Sequence, residues 1–399
     1  MDLISADLPR AAEQPEAGAA AGSAVSAFSA DLFTAIAGSS TGNLVCSPYS
    51  VAVALGMAVQ GARGTTAAQI LSVLHSQDAA TLAAGLNALD LALSARCGEV
   101  PGPDPDTVDR IELASANSLW GERTTSWQQP FLEVLGRDFG TGMRVVDYGQ
   151  AQAARAAINA WVSQQTRTRI PELVPDGMLG PDTVLTMVNA LYFKAPWARP
   201  FRAGLTRSAL FHRLDGSTVE ADLMSGRGSH FGSGPGWVAV SLPYAGGSLA
   251  MAVVVPVAGR YAEVESSLAG DGLGRLLAGF APTPVQVGLP RWTMRTTAAL
   301  GGVLSGLGMP VAFSDAADFS AMTADRPLRI SAALHEAFIA VDEAGTEAAA
   351  ATAIMVEVTS MPMEPPRSVV ADRPFLYVIH DVPTGVPLFV GRVLDPTAG

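Results

Sequence analysis

The sequence predicts an α+β fold rather than an alternating βαβ fold. Segments with helical spacing crowd the first half of the 399-residue chain, strand-like segments dominate the second half, and no repeat period is visible. Hydrophobic residues make up 49% of the chain, which is enough to form a sizeable core. We therefore expect one large domain over residues 21–399, preceded by a flexible arm rich in Ala, Gly and Glu over residues 1–20.

The predicted helices come first along the chain. Helical spacing begins near Ser23 and ends at residues 38–40. Ser47 followed by Pro48 is typical of a helix N-cap and first turn, and Gly61 closes that helix. Further helices are predicted over residues 65–74, 79–97, 151–169 and 296–307.

The predicted strands lie mostly in the second half. Residues 183–193 (TVLTMVNALYF) form a continuous apolar run with β-branched and aromatic members, which predicts a strand buried on both faces. Residues 98–109 are rich in Pro, Gly and Asp and predict a surface loop. Other strands are predicted over residues 111–120, 238–242, 249–255, 285–290, 337–341, 375–380 and 387–393.

Charge and hydropathy exclude several classes of partner. The chain has 25 basic and 37 acidic residues, a net charge of −12, and no basic run, so nucleic-acid binding is not expected. Lys194 is the only lysine, an arginine bias typical of a GC-rich genome. The longest apolar stretches reach about 11 residues, whereas a membrane span needs about 20, so no membrane segment is expected.

The two cysteines and the first residues say little about the compartment. Cys46 and Cys97 predict neither a disulfide scaffold nor a metal site, and we expect no metal or cofactor. No positively charged stretch followed by an apolar one opens the sequence, so no secretory signal is visible. A cytoplasmic protein and a secreted one that has lost its leader both remain open.

Two short matches to hydrolase motifs lack the context that they need. Residues 38–42 (GSSTG) match G-x-S-x-G, but that motif follows a strand and here it follows a predicted helix. His335 and Glu336 begin like H-E-x-x-H, but Ile339 stands at the fifth position. We therefore expect no enzymatic activity.

The segment over residues 343–366, EAGTEAAAATAIMVEVTSMPMEPP, has an unusual composition. Its alanines favour a helix, but no apolar stripe is available to dock one, and its second half is β-branched and ends in prolines. A period of two leaves one face without charge and places Glu347 and Glu357 on the other, together with Ala349 and Ala351. The uncharged face consists of Thr346, Ala348, Ala350, Thr352, Ile354 and Val356.

Four blocks of sequence resemble the serpins, which are suicide inhibitors of proteases, and the match is to inhibitory serpins of the prokaryotic type. The blocks occur in serpin order over residues 43–70, 158–201, 335–353 and 371–396. The most specific motif is DEAGTEAAAATA, which resembles the inhibitory hinge. The resemblance implies eight or nine helices around three β-sheets, with an exposed reactive-centre loop at about residues 343–366.

The resemblance also implies a mechanism. A target serine protease would attack the loop, and the acyl-enzyme would be trapped as a covalent complex when the loop inserts into the central sheet. The hinge would comprise Glu343, Gly345, Thr346, Glu347, Ala348, Ala349, Ala350 and Ala351.

Loop length in the family indicates the bond that the protease would cut. The resemblance places it between Thr359 and Ser360, with Val358 and Met361 as alternatives. No Arg or Lys lies between Glu343 and Glu364, so we expect an elastase-like or a subtilisin- or chymotrypsin-like target.

Six further positions match residues that hold the sheet of a serpin closed. Ser47, Ser50, Asn189 and His335 resemble the shutter, and the alternative role of His335 is that of a hydrogen-bonded core histidine. Trp197 matches a tryptophan at the point where insertion begins, known as the breach, or a simple core residue. Arg291 resembles the basic partner of Glu343.

The remaining expectations concern partners. On the helix over residues 79–97 only Arg96 is basic, so no heparin site is expected. We expect a monomer. The alternative function is that of a non-inhibitory serpin, acting as a binding protein or chaperone.

Overall fold

The computed structural model describes residues 2–101, 108–347 and 367–398. The helices in these ranges are α1 (Pro15–Ser39), α2 (Pro48–Gln60), α3 (Gly64–Val73), α4 (Ala79–Ser94), α5 (Gln129–Phe139), α6 (Ala151–Gln165), α7 (Tyr261–Ser266), α8 (Gly272–Ala278) and α9 (Leu300–Leu307). The first strands are β1 (Asp2–Ile4), β2 (Leu44–Cys46), β3 (Gly98–Pro101), β4 (Val108–Glu122), β5 (Met143–Val146), β6 (Leu185–Pro196), β7 (Arg207–His212), β8 (Thr218–Gly234) and β9 (Trp237–Pro243). The later strands are β10 (Leu249–Pro256), β11 (Ala281–Pro290), β12 (Trp292–Ala299), β13 (Ala332–Val341), β14 (Gly345–Thr346), β15 (Arg367–Val370), β16 (Phe375–Asp381) and β17 (Pro387–Val393).

An eight-stranded sheet, here called the central sheet, has the order β1-β5-β4-β6-β14-β13-β12, with β3 paired to β4. Its middle strand β6 is almost entirely buried, as its apolar run predicts. One face of the sheet packs on the main core, and the other packs on α6, whose Ile158 and Val162 are buried. The central sheet is therefore a layer with helices on both sides.

The middle of the central sheet is closed by one parallel pairing, here called the seam. Residues 186–191 of β6 pair with residues 332–337 of β13. The two-residue strand β14 lies between the same two strands at one end and is antiparallel to both. The seam is thus already parted at that end.

The second sheet has nine strands in the order β15-β11-β8-β9-β10-β16-β17-β2, with β7 paired to β8. The long strand β8 pairs through residues 218–223 with β7 and through residues 230–234 with β9. The long strand β8 thus pairs with β7 near one end and with β9 near the other. Two of the three expected sheets are therefore joined into one through β8. The α+β architecture with helices around these sheets is otherwise as predicted.

Helix α2 starts as its sequence predicts. The Ser47 side chain caps the helix by accepting the Ser50 backbone N–H at 3.3 Å, and Pro48 occupies the first turn. The helix is buried all round, between the central sheet and the other helices, which explains its apolar run from Val51 to Val59.

The structure differs from the prediction of a flexible arm over residues 1–20, of which it describes residues 2–20. Helix α1 begins at Pro15, and β1 pairs with β5 at the edge of the central sheet. Between them, the Arg10 guanidinium donates to Asn87 at 2.8 Å and pairs with Asp90 at 2.6 Å on α4. Composition alone missed this docking because it depends on partners about 80 residues away.

Several further boundaries differ from the predictions, and the helices predicted over residues 79–97 and 151–169 end earlier, at Ser94 and Gln165. Residues 296–299, predicted as the start of a helix, belong to β12, in which buried Trp292 and Met294 alternate with exposed residues. Only Leu300–Leu307 is helical. The loop predicted over residues 98–109 begins as β3 and ends in β4.

Helix α1 also bears on the membrane expectation. Within the described residues it is the one helix that is long and apolar enough to cross a membrane, and a search for continuous apolar runs misses it because Gly and Ser interrupt the run. However, 56% of its most apolar window is buried in the protein. Phe28, Leu32 and Phe33 are fully buried, as in a core helix.

Candidate functional site

The two ends of the predicted loop belong to different sheets. On the N-terminal side the described chain continues through β14 to Glu347, in the central sheet. On the C-terminal side it resumes at Arg367 in β15, which pairs with β11 of the second sheet. The predicted hinge and reactive-bond residues that lie outside the described residues are Ala348, Ala349, Ala350, Ala351, Val358, Thr359, Ser360 and Met361.

The described part of the predicted hinge, residues 343–347, enters the central sheet through a tight reversal at the end of β13. The Asp342 side chain accepts the backbone N–H groups of Ala344 at 2.8 Å and Gly345 at 3.1 Å. Gly345 then lies so close to β6 that a Cβ atom would be 2.2 Å from the Ala195 carbonyl oxygen. Only glycine fits here, because the backbone of β6 occupies the space of a side chain.

Thr346 anchors the hinge from inside the sheet. Its side chain is fully buried, and its Oγ1 lies 2.7 Å from the Tyr244 hydroxyl. Burial raises the pKa of Tyr244 far above its usual value, so this hydroxyl stays neutral. The short strand β14 therefore packs closely between β6 and β13 through Gly345, and it also forms a buried hydrogen bond through Thr346.

Trp197 holds the same reversal from the side. Its indole N–H donates to the Asp342 carbonyl at 3.0 Å, and its backbone N–H donates to the Ala344 carbonyl at 2.8 Å. The indole stacks on Tyr244 with the ring centroids 4.6 Å apart. Trp197 thus contacts the hinge directly, in addition to packing in the core.

Arg291 and Glu343 form the ion pair that the resemblance implies. Arg291 donates from Nε to Oε2 at 2.8 Å and from Nη2 to Oε1 at 2.6 Å, and it also reaches Asp222 at 3.2 Å. Thr206 donates a further hydrogen bond to Glu343. Partial burial acts to raise the pKa of Glu343, but the hydrogen bonds from Arg291 and Thr206 outweigh it and hold that pKa below its usual value.

The four shutter candidates meet at the middle of the seam, next to the start of α2. His335 and Asn189 are register partners on β13 and β6. The backbone N–H of Ser47 donates to His335 Nε2 at 3.0 Å, so Nδ1 carries the ring proton and donates to the Asn189 side-chain oxygen. The Asn189 amide in turn donates to the Ser50 hydroxyl at 2.6 Å.

One member of this network was not predicted. Asn117 on β4 is the register partner of Asn189, and its side-chain oxygen accepts hydrogen bonds from Asn189 at 2.5 Å and Ser50 at 2.6 Å. The network therefore links three adjacent strands to one helix. Tyr244 was also missed, because its contact with the hinge spans 102 residues of sequence.

His335 is neutral in the folded chain. Burial lowers its pKa to about 3, and the hydrogen bond with Asn189 offsets this only in part. A second proton on Nε2 would face the Ser47 N–H, which also points a hydrogen at that nitrogen. The surroundings of His335 therefore oppose its protonation both by desolvation and by geometry.

Comparison with known proteins identifies the class. The family model of the serpins, described as serine protease inhibitors, matches residues 23–396, and the chain belongs to this family. A serpin-like protein of Thermococcus kodakarensis, itself uncharacterised, is 35% identical over 381 residues, which cover 94% of this chain and 86% of the relative.

Two further comparisons agree with this assignment. The leukocyte elastase inhibitor of Sus scrofa is 33% identical and covers 92% of this chain and 97% of its own. The crystal structure of tengpin, a thermophilic serpin, in its native state superimposes with a TM-score of 0.83 over 98% of this chain and 97% of that chain, at 24% identity. The latter similarity concerns the fold alone.

The protonation of His335 predicts a dependence of stability on pH. The unfolded chain binds a proton at this histidine below about pH 6.5, whereas the folded chain does not until about pH 3, so the free energy of unfolding falls as the pH drops from about 6.5 towards 3. Between pH 7 and pH 5, wild type should lose about 1–2 kcal/mol more than His335→Gln, measured from urea unfolding curves. His380, buried with a pKa of about 4, contributes equally to both chains.

His212→Gln is the matched control, since this ring is exposed. It should follow the wild-type curve. An equal loss of unfolding free energy for wild type and His335→Gln would contradict a neutral, buried His335.

The close approach at Gly345 predicts that Gly345→Ala destabilises the hinge. The added methyl group would meet the β6 backbone and should lower the free energy of unfolding by about 1–3 kcal/mol. Hydrogen exchange of the Thr346 amide should also accelerate. Gly204→Ala is the control, because a Cβ there has no neighbour within 4 Å. If both variants behaved alike, β14 would not be held in the sheet as described.

Proposed function

We propose that the protein is a suicide inhibitor of serine proteases whose loop, over about residues 343–366, inserts into the central sheet after cleavage. The observation that carries this proposal is the position of β14. Gly345 and Thr346 lie between β6 and β13, antiparallel to both, in the path that an inserted strand would follow. The loop thus begins as an inserted strand of two residues.

The seam supplies the driving force for insertion. It is a parallel ladder, and parallel pairing is slightly less stable per residue than antiparallel pairing. A loop strand between β6 and β13 would replace this single parallel ladder with two antiparallel ladders. The uncut chain cannot complete the exchange while the loop is tethered at both ends, to β14 and to β15.

The loop sequence suits the space that would open. The face from Thr346 to Val356 that is predicted to point inwards has no charged residue, and its small side chains demand little room. At about 3.3 Å per residue, residues 346–359 would span about 45 Å as a strand. A protease attached at the end of that strand would be carried across the whole central sheet.

The covalent step follows the chemistry of serine proteases. The protease serine oxygen adds to the carbonyl carbon of Thr359, the peptide bond to Ser360 breaks, and the amine of Ser360 leaves with the proton that the protease histidine took from its serine. The ester that joins Thr359 to the protease would be trapped, because insertion deforms the protease before water can hydrolyse it.

Sequence and comparison both favour an elastase-like or a subtilisin- or chymotrypsin-like target. The residues around the proposed bond, from Val358 to Met361, are small or apolar. The relative from Sus scrofa is named as an inhibitor of leukocyte elastase. We propose that one monomer of this protein captures one protease.

Incubation with a panel of serine proteases tests the proposal. An elastase-like or subtilisin-like enzyme should form a complex that survives SDS, because the linkage is an ester bond. Mass spectrometry of the released C-terminal peptide should show a new N-terminus at Ser360. Clean cleavage without any complex would favour the non-inhibitory alternative, and a cut outside residues 358–361 would refute the assigned bond.

A pair of variants separates insertion from binding. Thr346→Arg puts a charge on the buried face of β14, so the chain should become a substrate that is cut without forming a complex. Ala349→Arg puts the same charge on the face predicted to point outwards and should still form complexes. Equal complex formation by the two variants would contradict strand insertion.

A further inference from the structure

An unusual backbone conformation marks one contact of the hinge. Among the described residues, four that are not glycine have φ in the left-handed region, namely His75, Arg167, Thr168 and Glu347. Three of these four belong to, or lie within two residues of, a single ion pair between Arg169 and Glu347. Left-handed conformations are uncommon for such residues, and they cluster where the surrounding structure enforces them, often at functional sites.

One half of this contact is the turn that ends α6. The Thr168 N–H donates to the Ser163 carbonyl at 2.7 Å, and the Ile170 N–H donates to the Thr166 hydroxyl at 3.2 Å. These bonds wind the chain through two consecutive left-handed residues. The turn directs Arg169 towards the central sheet.

The turn is also anchored to the far side of the seam. The Arg169 carbonyl accepts a hydrogen bond from Arg295 of β12 at 2.6 Å, and Arg295 pairs with Glu336 of β13 at 3.0 Å. On the near side, Arg167 is 67% exposed and lies 3.6 Å from Glu112 of β4, so this contact contributes little to holding the turn. The turn therefore crosses the outer face of the central sheet above the path of insertion.

The other half of the contact is the hinge itself. Glu347 follows β14 directly, with φ at 51°, and its N–H donates to the Ala340 carbonyl at 2.9 Å. Its side chain is only 5% exposed, and the carboxylate oxygen Oε1 lies 2.9 Å from Arg169 Nε. The Tyr192 side chain of β6 also hydrogen-bonds this carboxylate, and Arg169 is the cation paired with it in the described part of the chain.

This geometry is incompatible with further insertion. A residue in an antiparallel strand has φ near about −140°, so Glu347 at +51° turns the chain away from the strand path directly after Thr346. Before Ala348 could follow Thr346 between β6 and β13, Glu347 would have to become extended. Its carboxylate would then move away from Arg169.

We propose that Arg169 is a positioning residue that locks the hinge at Glu347 and so arrests the loop after two inserted residues until the loop is cut. This rests on the proposed function in one respect, namely that the loop inserts after cleavage. The lock itself is a property of the uncut chain. Because it opposes both withdrawal and further entry of the hinge, its loss speeds both.

Hydrogen exchange of the Glu347 amide in the uncut protein tests the lock without any protease. Arg169→Gln and Glu347→Gln should each accelerate this exchange by about tenfold. This figure lies between the small destabilisation on losing an exposed ion pair and the large destabilisation on breaking a buried one. The double variant should exchange no faster than either single variant, since both remove the same interaction. Arg169→Lys, which keeps the charge, should lie closer to wild type.

Arg167→Gln is the matched control, because it makes the same substitution in the same turn but its partner is Glu112. Its Glu347 amide should exchange at the wild-type rate. Additive effects of Arg169→Gln and Glu347→Gln, or equal effects of Arg167→Gln and Arg169→Gln, would overturn the lock.

A second measurement follows insertion after the loop has been cut. Arg169→Gln should gain thermal resistance about tenfold faster than wild type, while Arg167→Gln keeps the wild-type rate. If no cut chain gained thermal resistance, the proposed function would fail, and the exchange result would still decide the lock. If the cut chains gained it at one common rate, the role of Arg169 in arresting the loop would be refuted.

Discussion

The parallel pairing of β6 with β13 is the interaction on which the rest of the structure depends. The two strands pair directly along residues 186–191 and 332–337, but at one end β14 already lies between them. If the loop inserts as proposed, the sheet has a more stable arrangement with one more strand at its centre, and the uncut fold is held by its connections as well as by its contacts.

Three sets of polar contacts lie at three places along the seam. At the end where the loop leaves, Arg291 and Trp197 hold the reversal that leads into β14. In the middle, His335 and Asn189 join the two strands to α2. Above the path of entry, the turn after α6 meets the hinge at Glu347. Each set includes a buried side chain, namely Trp197, His335 or Glu347, whose contacts would have to be exchanged if the strands parted.

Local signals predicted those parts of the fold that local chemistry decides. The cap at Ser47 and the apolar run of β6 are visible in the sequence because the side chains that form them are adjacent. Strand β8 was missed because its Gly- and Ser-rich second half lacks an alternating pattern, and β12 was partly taken for a helix because its last residues are small. Contacts such as Asn117 with Asn189 join positions 72 residues apart, and no local pattern marks them.

If the proposed mechanism holds, the central sheet can take up one more strand between β6 and β13. Limited cleavage within residues 354–361, followed by thermal unfolding of cut and uncut chains, tests this most directly. The unfolding temperature of the cut chain should be at least about 10 °C above that of the uncut chain, because many residues would join the sheet. The circular dichroism spectrum of the cut chain should also show more strand signal. An unchanged or lower unfolding temperature, with no added strand signal, would contradict it.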